Sequence, residues 1–323
     1  MHAIRQYEFG PPSTLRYEKL LDPNPGPGRL RVAVEAAGVH VIDTTIRRGV
    51  EGGPFPLPTL PMTPGREVAG VVDEVGPDVD RDWLGRRVVA HLGQVSGGYA
   101  ELALAEAARA HDVPAALSAA SAVAMIGTGR TAVGILDVAG LSGDDIVVVT
   151  AAAGGLGSLF VQEARALGAT VVALAGGPDK VERARALDAQ IAVDYRQPGW
   201  TDLVRDALVG RCPTVALDGV GGAAGRDAFE LLGPGGRLVR FGWSSGAATE
   251  IGPDEFAARG VTDRAITGAQ LIPRLAELEA AALDRAGSGA WQPLVQKFSL
   301  GAASDAHHAI ETRATMGKVV LVP

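Results

Sequence analysis

A glycine-rich turn is the feature of this sequence with the clearest chemical implication. The turn AAGGLG (152–157) follows a short apolar run at 146–150 and precedes a helical pattern at 155–168. Glycine lets the backbone approach a pyrophosphate, and the unpaired N–H groups that open a helix face the negative charge. Although Ala152 stands where a first glycine is usual, we predict a dinucleotide-binding turn with contacts from Ala153, Gly154, Gly155 and Leu156. A tight turn that packs the helix on the sheet without a ligand is the alternative.

The tip of the second predicted strand of this region carries no acidic side chain. NAD sites usually place Asp or Glu about 20 residues after the glycines, on the ribose 2′-hydroxyl, whereas ALAGGP (173–178) offers small residues and proline. Gly176, Lys180 and Tyr195 stand at or just beyond the ends of the second and third strands, and Arg196 follows. A 2′-phosphate requires cations and hydrogen-bond donors. We therefore predict NADPH as the cofactor, although Lys180 could also be a solvated helix position.

Two further strand tips carry residues that suit the nicotinamide end of a dinucleotide. The fourth strand ends in DGVGG (218–222) and the fifth in FGWSSG (241–246). Ligands bind at the carboxyl ends of the strands in open α/β sheets. We predict cofactor contacts from Gly219, Phe241, Trp243 and Ser244. Turn formation alone is the alternative for the other glycines, and filling the floor of the site is the alternative for Trp243.

The elements that must position these residues change in character along the chain. From 1 to about 118, runs such as 29–39 alternate apolar and polar residues, which predicts half-buried strands of a mainly β domain. From 119 to 267, continuous apolar runs alternate with helical patterns. This alternation predicts a six-stranded, doubly wound parallel sheet. Residues 268–323 return to mixed character and are expected to fold back onto the first domain, so the fold class is α/β with an inserted parallel-sheet domain.

Composition narrows the classes of function. The 323-residue chain has 47% hydrophobic and 21% charged residues and a formal net charge of −7, so we expect neither extensive disorder nor attraction to nucleic acid or anionic lipid. Cys212 is the only cysteine, which excludes internal disulfides and zinc sites with several thiolates. The first residues lack the apolar core of a signal peptide, and no apolar run reaches the ~20 residues of a membrane span. We expect a cytoplasmic protein without a membrane partner.

Together these motifs resemble the medium-chain dehydrogenase/reductase superfamily, in particular its zinc-independent quinone oxidoreductase branch. The resemblance covers the whole chain and rests on GVHVIDTTIRRG (38–49), PGREVAGVVDEVG (64–76), AAAGGLG (151–157), DGVGG (218–222), FGWSSG (241–246) and RATMGKVVLVP (313–323). It implies a GroES-like catalytic domain formed by 1–118 and 268–323, with a Rossmann domain inserted at 119–267. It also implies a homodimer formed by edge pairing of the Rossmann sheets.

The sequence departs from the zinc-dependent members of that superfamily at two ligand positions. His40 stands where they carry a catalytic cysteine, and Arg66 stands where they carry a histidine. A guanidinium at a ligand position would place an uncompensated positive charge beside a dication. We therefore predict no metal site, including one made from His40, Glu67 and His91.

The resemblance also implies residues for catalysis. Thr131 matches a threonine that family members place near the nicotinamide, and Lys318 occupies a position near the cofactor, with an exposed strand lysine as the alternative. His40 replaces the asparagine of family quinone sites, and it could donate a hydrogen bond or a proton to an acceptor oxygen, or fill a polar pocket wall. His307 and His308 are expected to be solvated residues of the last helix.

Without a metal to polarise a carbonyl, the remaining chemistry suits acceptors that need little activation. We expect NADPH-dependent hydride transfer to a quinone or an α,β-unsaturated carbonyl. One alternative is an enoyl thioester reductase of the polyketide or fatty-acyl type. Another is a non-catalytic NADPH-binding sensor, because no residue is an obvious acid–base catalyst.

Overall fold

The two strand patterns of the sequence form separate sheets in the computed structural model, which describes residues 1–51, 56–93 and 96–323. The chain divides into a first unit, made of Met1–Gly129, Glu279–Gly289 and Pro293–Pro323, and a second unit, made of Arg130–Leu278 and Ala290–Gln292. These bounds differ from the predicted domain bounds, because residues 119–129 belong to the first unit and residues 268–278 to the second.

The first unit contains a largely antiparallel sheet, and burial alternates along part of it, as in residues 29–36 and 102–106. Its N-terminal elements are β1 (His2–Gln6), β2 (Leu15–Lys19), β3 (Arg29–Val39), α1 (Val41–Arg48), β4 (Glu67–Val75), β5 (Arg87–His91), β6 (Leu102–Glu106), β7 (Ala110–Asp112) and α2 (Ala119–Ala124). The period of two predicted for β3 is confirmed, because Leu30, Val32 and Val34 are buried while Arg31 and Ala33 are partly exposed. Those side chains pack into the apolar core of the unit.

The second unit is a doubly wound parallel sheet, as predicted. Its elements are α3 (Arg130–Ala139), β8 (Ile146–Val149), α4 (Gly155–Ala166), β9 (Thr170–Ala175), α5 (Pro178–Arg185), β10 (Ile191–Asp194), α6 (Trp200–Leu208), β11 (Val215–Asp218), α7 (Gly222–Leu231), β12 (Arg237–Arg240), α8 (Pro253–Arg259), β13 (Thr262–Ala265) and α9 (Gly268–Leu271). The six strands are parallel in the order β10-β9-β8-β11-β12-β13. The chain reverses its direction of winding between β8 and β11, which is where such sheets bind ligands.

The C-terminal elements complete the sheet of the first unit. They are α10 (Leu275–Gly287), β14 (Val295–Ser299), α11 (Ala303–Glu311) and β15 (Lys318–Val322). β15 pairs antiparallel with β3 and parallel with β14, and the sheet order becomes β14-β15-β3-β4-β5-β7 with β6 on β3. The return of the chain to the first sheet therefore brings the start of β15 beside the end of β3.

One helical stretch of the described chain, Ala119–Ala139, is long and apolar enough to span a membrane, which the expectation from apolar runs missed. However, 78% of its most apolar window is buried in the protein. This burial is typical of a core helix. A π-helical turn, Met125–Gly129, interrupts the stretch between α2 and α3. Such turns often accompany functional sites, and this one contains Gly127, which contacts the charged cluster described below.

Candidate active site

The glycine turn of the second unit leaves the start of α4 open to a ligand. Gly154 is the N-cap, and no side chain of the described residues caps this helix start or places an acid in its first turn. A Cβ atom at Gly157 would lie 2.3 Å from the Ala151 carbonyl oxygen, so only glycine allows the helix to approach the turn this closely. The unpaired N–H groups and the positive end of the helix dipole form the environment that a pyrophosphate requires.

Ala152 can replace the usual first glycine because the residue with left-handed backbone conformation is its neighbour in the chain. Ala151, not Ala152, has a positive φ, of 49°. Ala152 is fully buried and donates its N–H to the Leu174 carbonyl at 2.9 Å, which ties the turn to the end of β9. The turn therefore keeps its shape with alanine at 152, at a cost of roughly 1 kcal/mol for the left-handed alanine that precedes it.

The tips of β9 and β10 bring Tyr195 beside Gly176 and Arg196 beside Gly177, at the place predicted for a 2′-phosphate. A Cβ atom at Gly176 would lie 3.3 Å from the Tyr195 hydroxyl, and one at Gly177 would lie 2.3 Å from Arg196 Nη2. Arg196 Nε lies 3.2 Å from Asp194 Oδ1. Burial tends to raise the pKa of Asp194, but its hydrogen bonds to Arg196 and to the Gly177 backbone lower that pKa to about 2. Lys180 is half-buried in the first turn of α5.

The tips of β11 and β12 meet at the same edge of the sheet. The Phe241 ring lies over Gly219, where an added Cβ would be 2.4 Å from Phe241 Cε2, and it packs edge-to-face on Phe160 of α4. Ser244 donates its N–H to the Gly219 carbonyl at 3.0 Å. Trp243 is 64% exposed, and both its predicted contact with the cofactor and the alternative that it fills the floor of the site stay predictions. The predicted residues of this group therefore lie together beside the glycine turn.

A buried carboxylate that sequence reasoning did not assign joins these tips. Asp218 Oδ1 accepts hydrogen bonds from the Thr150 hydroxyl and from the Val220 and Gly221 N–H groups at 3.0–3.1 Å. Its Oδ2 accepts from the Thr249 hydroxyl at 2.9 Å. The acid that precedes the glycines in DGVGG was the available signal. Asp218 holds the loop after β11 against the glycine turn.

The first unit contains a cluster of three charged or ionisable side chains, of which one is a fully buried carboxylate. His40 Nε2 lies 2.6 Å from Glu67 Oε1, and Lys318 Nζ lies 2.9 Å from Glu67 Oε2. Lys318 Nζ also lies 2.8 Å from His40 Nε2. Burial tends to raise the pKa of Glu67, but the charges of His40 and Lys318 hold it well below its ordinary value.

Sheet topology and two glycines create the space for this cluster. His40 follows β3, Glu67 begins β4 and Lys318 begins β15, and β3 pairs with both of the other strands. A Cβ atom at Gly38 would lie 2.2 Å from Glu67 Oε2, and one at Gly127 would lie 1.5 Å from Glu67 Oε1. The sequence analysis assigned neither glycine a role, because their partner is 29 or 60 residues away in the chain.

A second buried network fixes the backbone of His40. Asp43 Oδ2 accepts the His40 N–H at 2.8 Å and the Tyr99 hydroxyl at 3.1 Å. The Tyr99 hydroxyl lies 3.2 Å from His307 Nε2. Burial raises the pKa of Tyr99 well above its ordinary value, with a further contribution from Asp43. Burial also lowers the pKa of His307 to about 4, so His307 is neutral at physiological pH.

Comparison with known proteins gives two family matches and full-length relatives. Residues 26–115 match the alcohol dehydrogenase GroES-like domain, and residues 155–283 match the zinc-binding dehydrogenase family. The chain is 32% identical to the quinone oxidoreductase of Pseudomonas aeruginosa, over 98% of this chain and 97% of that protein. The chain belongs to the zinc-independent quinone oxidoreductase branch of the medium-chain dehydrogenase/reductase superfamily. It is a quinone-oxidoreductase-like enzyme of the NAD(P)-dependent type.

This quinone-oxidoreductase-like enzyme is also similar to a reductase with a different named activity and to a quinone oxidoreductase of known structure. It is 31% identical to the 2-haloacrylate reductase of a Burkholderia species, over 98% of this chain and 97% of the relative. The structure of the Escherichia coli quinone oxidoreductase complexed with NADPH superposes with a TM-score of 0.85 at 28% identity and covers 100% of both chains.

The residues of this enzyme fit a dinucleotide but not the zinc ion that one of the family descriptions implies. The open start of α4 and the glycines at 154, 157 and 176 form a cradle that side chains would fill. At the position of the superfamily's zinc site, however, the Lys318 ammonium already neutralises the Glu67 carboxylate, and Arg66 Nε lies 3.7 Å from Asp43 Oδ1. A dication there would face two fixed positive groups.

The structure corrects two predictions of the sequence. His307 is fully buried, so its assignment as a solvated helix residue was wrong, because its neutral imidazole packs against Tyr99. Lys318 is only 5% exposed, so the alternative of an exposed strand lysine was also wrong. The role of Lys318 in cofactor binding stays a prediction, as does that of Thr131, which is half-buried near the start of α3.

Proposed function

We propose that this protein is an NADPH-dependent, metal-independent reductase that transfers hydride to a quinone or an α,β-unsaturated carbonyl. The observation that carries the proposal is the tip of β9, where the strand itself ends without an acidic residue. The Tyr195 hydroxyl and the Arg196 guanidinium, which pairs with Asp194 of β10, lie there beside Gly176 and Gly177. A ribose 2′-phosphate is the group that such a donor set favours. NADPH, when bound, supplies the hydride.

The charged side chains of the first unit support a quinone or an α,β-unsaturated carbonyl as the acceptor. Lys318 neutralises Glu67, so the cluster leaves the His40 imidazole available but has no position for a Lewis-acid metal ion. A site without a Lewis acid favours acceptors that are already electron-poor. The quinone oxidoreductase and 2-haloacrylate reductase relatives, whose names denote conjugated acceptors, support the same class.

His40 and Thr131 are the residues that we assign to the reaction. Reduction of a quinone or enone places negative charge on the acceptor oxygen, and a hydrogen bond or proton from a histidine stabilises that charge. His40 is the exposed member of its cluster, with a side chain 24% exposed. Thr131 carries a hydroxyl that can position the nicotinamide, by the family resemblance stated above.

Cofactor choice is tested by dissociation constants for NADPH and NADH. We expect tighter binding of NADPH, and Arg196→Ala should weaken NADPH binding about tenfold while leaving NADH binding unchanged. Arg185→Ala is the matched control, because Arg185 is an exposed arginine of α5 whose guanidinium lies 3.4 Å from Glu182 Oε2. Equal affinity of the wild type for both nucleotides would contradict the assignment.

Acceptor class is tested by NADPH oxidation with a panel of acceptors. Turnover with 1,4-benzoquinone and with small enones, but not with enoyl thioesters, is the expected result. The reverse pattern would identify an enoyl thioester reductase, and NADPH binding without any turnover would identify a sensor.

His40→Ala tests the catalytic assignment. The substitution should lower kcat/KM by roughly tenfold to a thousandfold, because it removes the donor to the acceptor oxygen. His308→Ala is the control, since His308 is an exposed histidine of α11. An unchanged kcat/KM in His40→Ala would remove His40 from the site.

We also propose a cytoplasmic homodimer formed through the edge of the parallel sheet. β13 is an edge strand, and all four of its residues are exposed in the single chain. Light scattering should give twice the 33.1 kDa of the chain, and a mass near 33 kDa would contradict the dimer. Cell fractionation tests the location.

A further inference from the structure

The two neighbours of His40 Nε2 favour opposite protonation states of that nitrogen atom. Glu67 Oε1, at 2.6 Å, can only accept a hydrogen bond while it is ionised, so it requires a proton on Nε2. Lys318 Nζ, at 2.8 Å, can only donate while it is an ammonium, so it requires a bare Nε2. One heavy-atom arrangement therefore serves two protonation states of the same ring nitrogen.

Each state has a partner already in place. When Nε2 is bare, the neutral imidazole carries its proton on Nδ1 and accepts a hydrogen bond from Lys318. When Nε2 is protonated, the ionised Glu67 Oε1 lies beside it at 2.6 Å, an ion-pair distance. The carboxylate touches both of the other groups, with Lys318 Nζ at 2.9 Å, so its negative charge stabilises the proton on either nitrogen. A proton can move between Lys318 and His40 without movement of any side chain.

From this geometry we infer that Lys318 and His40 form a proton relay that neutralises the reduced acceptor, an inference that rests on the proposed function. The Nδ1–H bond of His40 breaks as the acceptor oxyanion gains its O–H bond, while a Lys318 N–H bond breaks and a new Nε2–H bond forms. The acceptor loses its negative charge and Lys318 becomes neutral. A proton from water then returns through His40 to Lys318. Lys318 acts through His40 and is therefore a positioning residue.

The exposure of the three side chains shows at which residue protons enter and leave the relay. Glu67 is fully buried and Lys318 is 5% exposed, whereas the His40 side chain is 24% exposed. His40 is thus the member of the cluster through which a proton passes to or from the outside. Ammonium groups and phenols have similar reference pKa values, so transfer from a lysine to a quinol-type oxyanion needs little driving force.

The test compares two acceptors that differ in their need for a proton. Reduction of 2-cyclohexenone gives a strongly basic enolate that must be protonated, whereas reduction of tetrachloro-1,4-benzoquinone gives an oxyanion that the chlorine atoms stabilise. Lys318→Met should lower kcat with cyclohexenone by at least about tenfold more than it lowers kcat with the chlorinated quinone. Lys297→Met is the matched control, because Lys297 is an exposed lysine of the neighbouring strand β14. It should change neither kcat.

A second variant guards against loss of the fold. Lys318→Met leaves the Glu67 carboxylate buried without its cation. The double variant Glu67→Gln/Lys318→Met removes both charges, so the buried pair becomes neutral and the protein should keep its fold. The double variant should keep the same contrast between the two acceptors. Adding His40→Gln to Lys318→Met should lower the cyclohexenone rate no further, because both residues act in one chain of transfer.

The outcomes separate the relay from the proposed function. Equal losses with both acceptors in the single and double variants, or no loss with either, would overturn the relay and leave the reductase intact. Wild-type protein that oxidises NADPH with neither acceptor nor with 1,4-benzoquinone would overturn both. A loss that is at least about tenfold larger with cyclohexenone than with the chlorinated quinone supports the relay.

Discussion

The two units use glycine for opposite purposes. In the second unit, Gly157 brings the backbone of α4 against the Ala151 carbonyl and leaves the helix start free for a ligand. In the first unit, Gly38 and Gly127 make room for the Glu67 side chain, which then holds His40 and Lys318. The first of these sites is formed by backbone atoms and is open to a ligand, whereas the second is formed by buried charges that neutralise one another.

The difference has a consequence for pH dependence. All six histidines of the sequence, at 2, 40, 91, 111, 307 and 308, fall in the first unit. Histidine is the side chain whose ordinary pKa lies between pH 5 and 8. Proton-linked behaviour near neutral pH should therefore belong to the first unit, and phosphate recognition to the second.

The largest effect is expected from Gly127→Ala. The added Cβ would lie 1.5 Å from Glu67 Oε1, so the carboxylate must leave its two partners inside the protein. Breaking a buried ion pair costs about 4 kcal/mol, and urea denaturation should report a loss of that size. Gly26→Ala, at a glycine with no atom within 4 Å of the added Cβ, is the control. Equal losses in the two variants would mean that the cluster tolerates displacement of Glu67.

The next effect concerns the pH dependence of the first unit. The pKa of His307 is lowered to about 4 from an ordinary value of 6.5, so the unfolded chain takes up a proton between these pH values and the folded chain does not. The stability associated with neutral His307 is present above pH 6.5 and is lost as the pH falls towards 4, by about 3 kcal/mol in total.

Hydrogen exchange followed by mass spectrometry measures this loss region by region. His307→Gln should flatten the pH dependence of protection in α11 and in its neighbours of the first unit, whereas His308→Gln, at the adjacent exposed histidine, should leave it unchanged. Protection in the second unit that depends equally on His307 would break the contrast between the units.

A smaller loss of stability, with a large loss of binding, is expected from Gly157→Ala. Its Cβ would meet backbone atoms, Ala151 O at 2.3 Å and Ala152 Cα at 2.8 Å, so α4 must shift away from the turn. We expect a loss of about 2 kcal/mol in the free energy of unfolding. NADPH binding, followed by fluorescence titration, should weaken at least about tenfold. Gly268→Ala, at an open helix position, should change neither, and unchanged affinity in Gly157→Ala would rule out the turn as the pyrophosphate site.

The smallest effect tests the carboxylate that joins the strand tips. Thr249→Val removes the hydroxyl that donates to Asp218 Oδ2 at 2.9 Å and should lower the free energy of unfolding by about 1.5 kcal/mol. Thr249→Ser keeps the hydroxyl and should recover most of that loss. Thermal denaturation measures the free energy of unfolding of the two variants. Identical free energies for Thr249→Val and Thr249→Ser would mean that the hydrogen bond contributes nothing measurable to stability.

Sequence reasoning predicted the elements of the second unit more closely than the interactions of the first. The helix predicted at 155–168 is observed as α4, which ends two residues earlier. The alternation of apolar runs and helical patterns predicted for 119–267 is observed as six parallel strands with helices between them. Periodicity and glycine turns report on neighbours close in the chain, which is sufficient for strand–turn–helix units. His307 was misassigned because the helical pattern of α11 does not reveal that Tyr99 covers its inner face.

The amino-acid sequence by itself determined the fold class, the doubly wound sheet, the open glycine turn and the family of this protein, because these depend on residues adjacent in the chain and on backbone freedom at glycine. Only the tertiary structure decided that a lysine from the last strand neutralises a carboxylate from the fourth and contacts the histidine that follows the third. Sheet pairing brings together groups separated by up to 278 residues, and charges at such separations leave no periodic signal in the sequence.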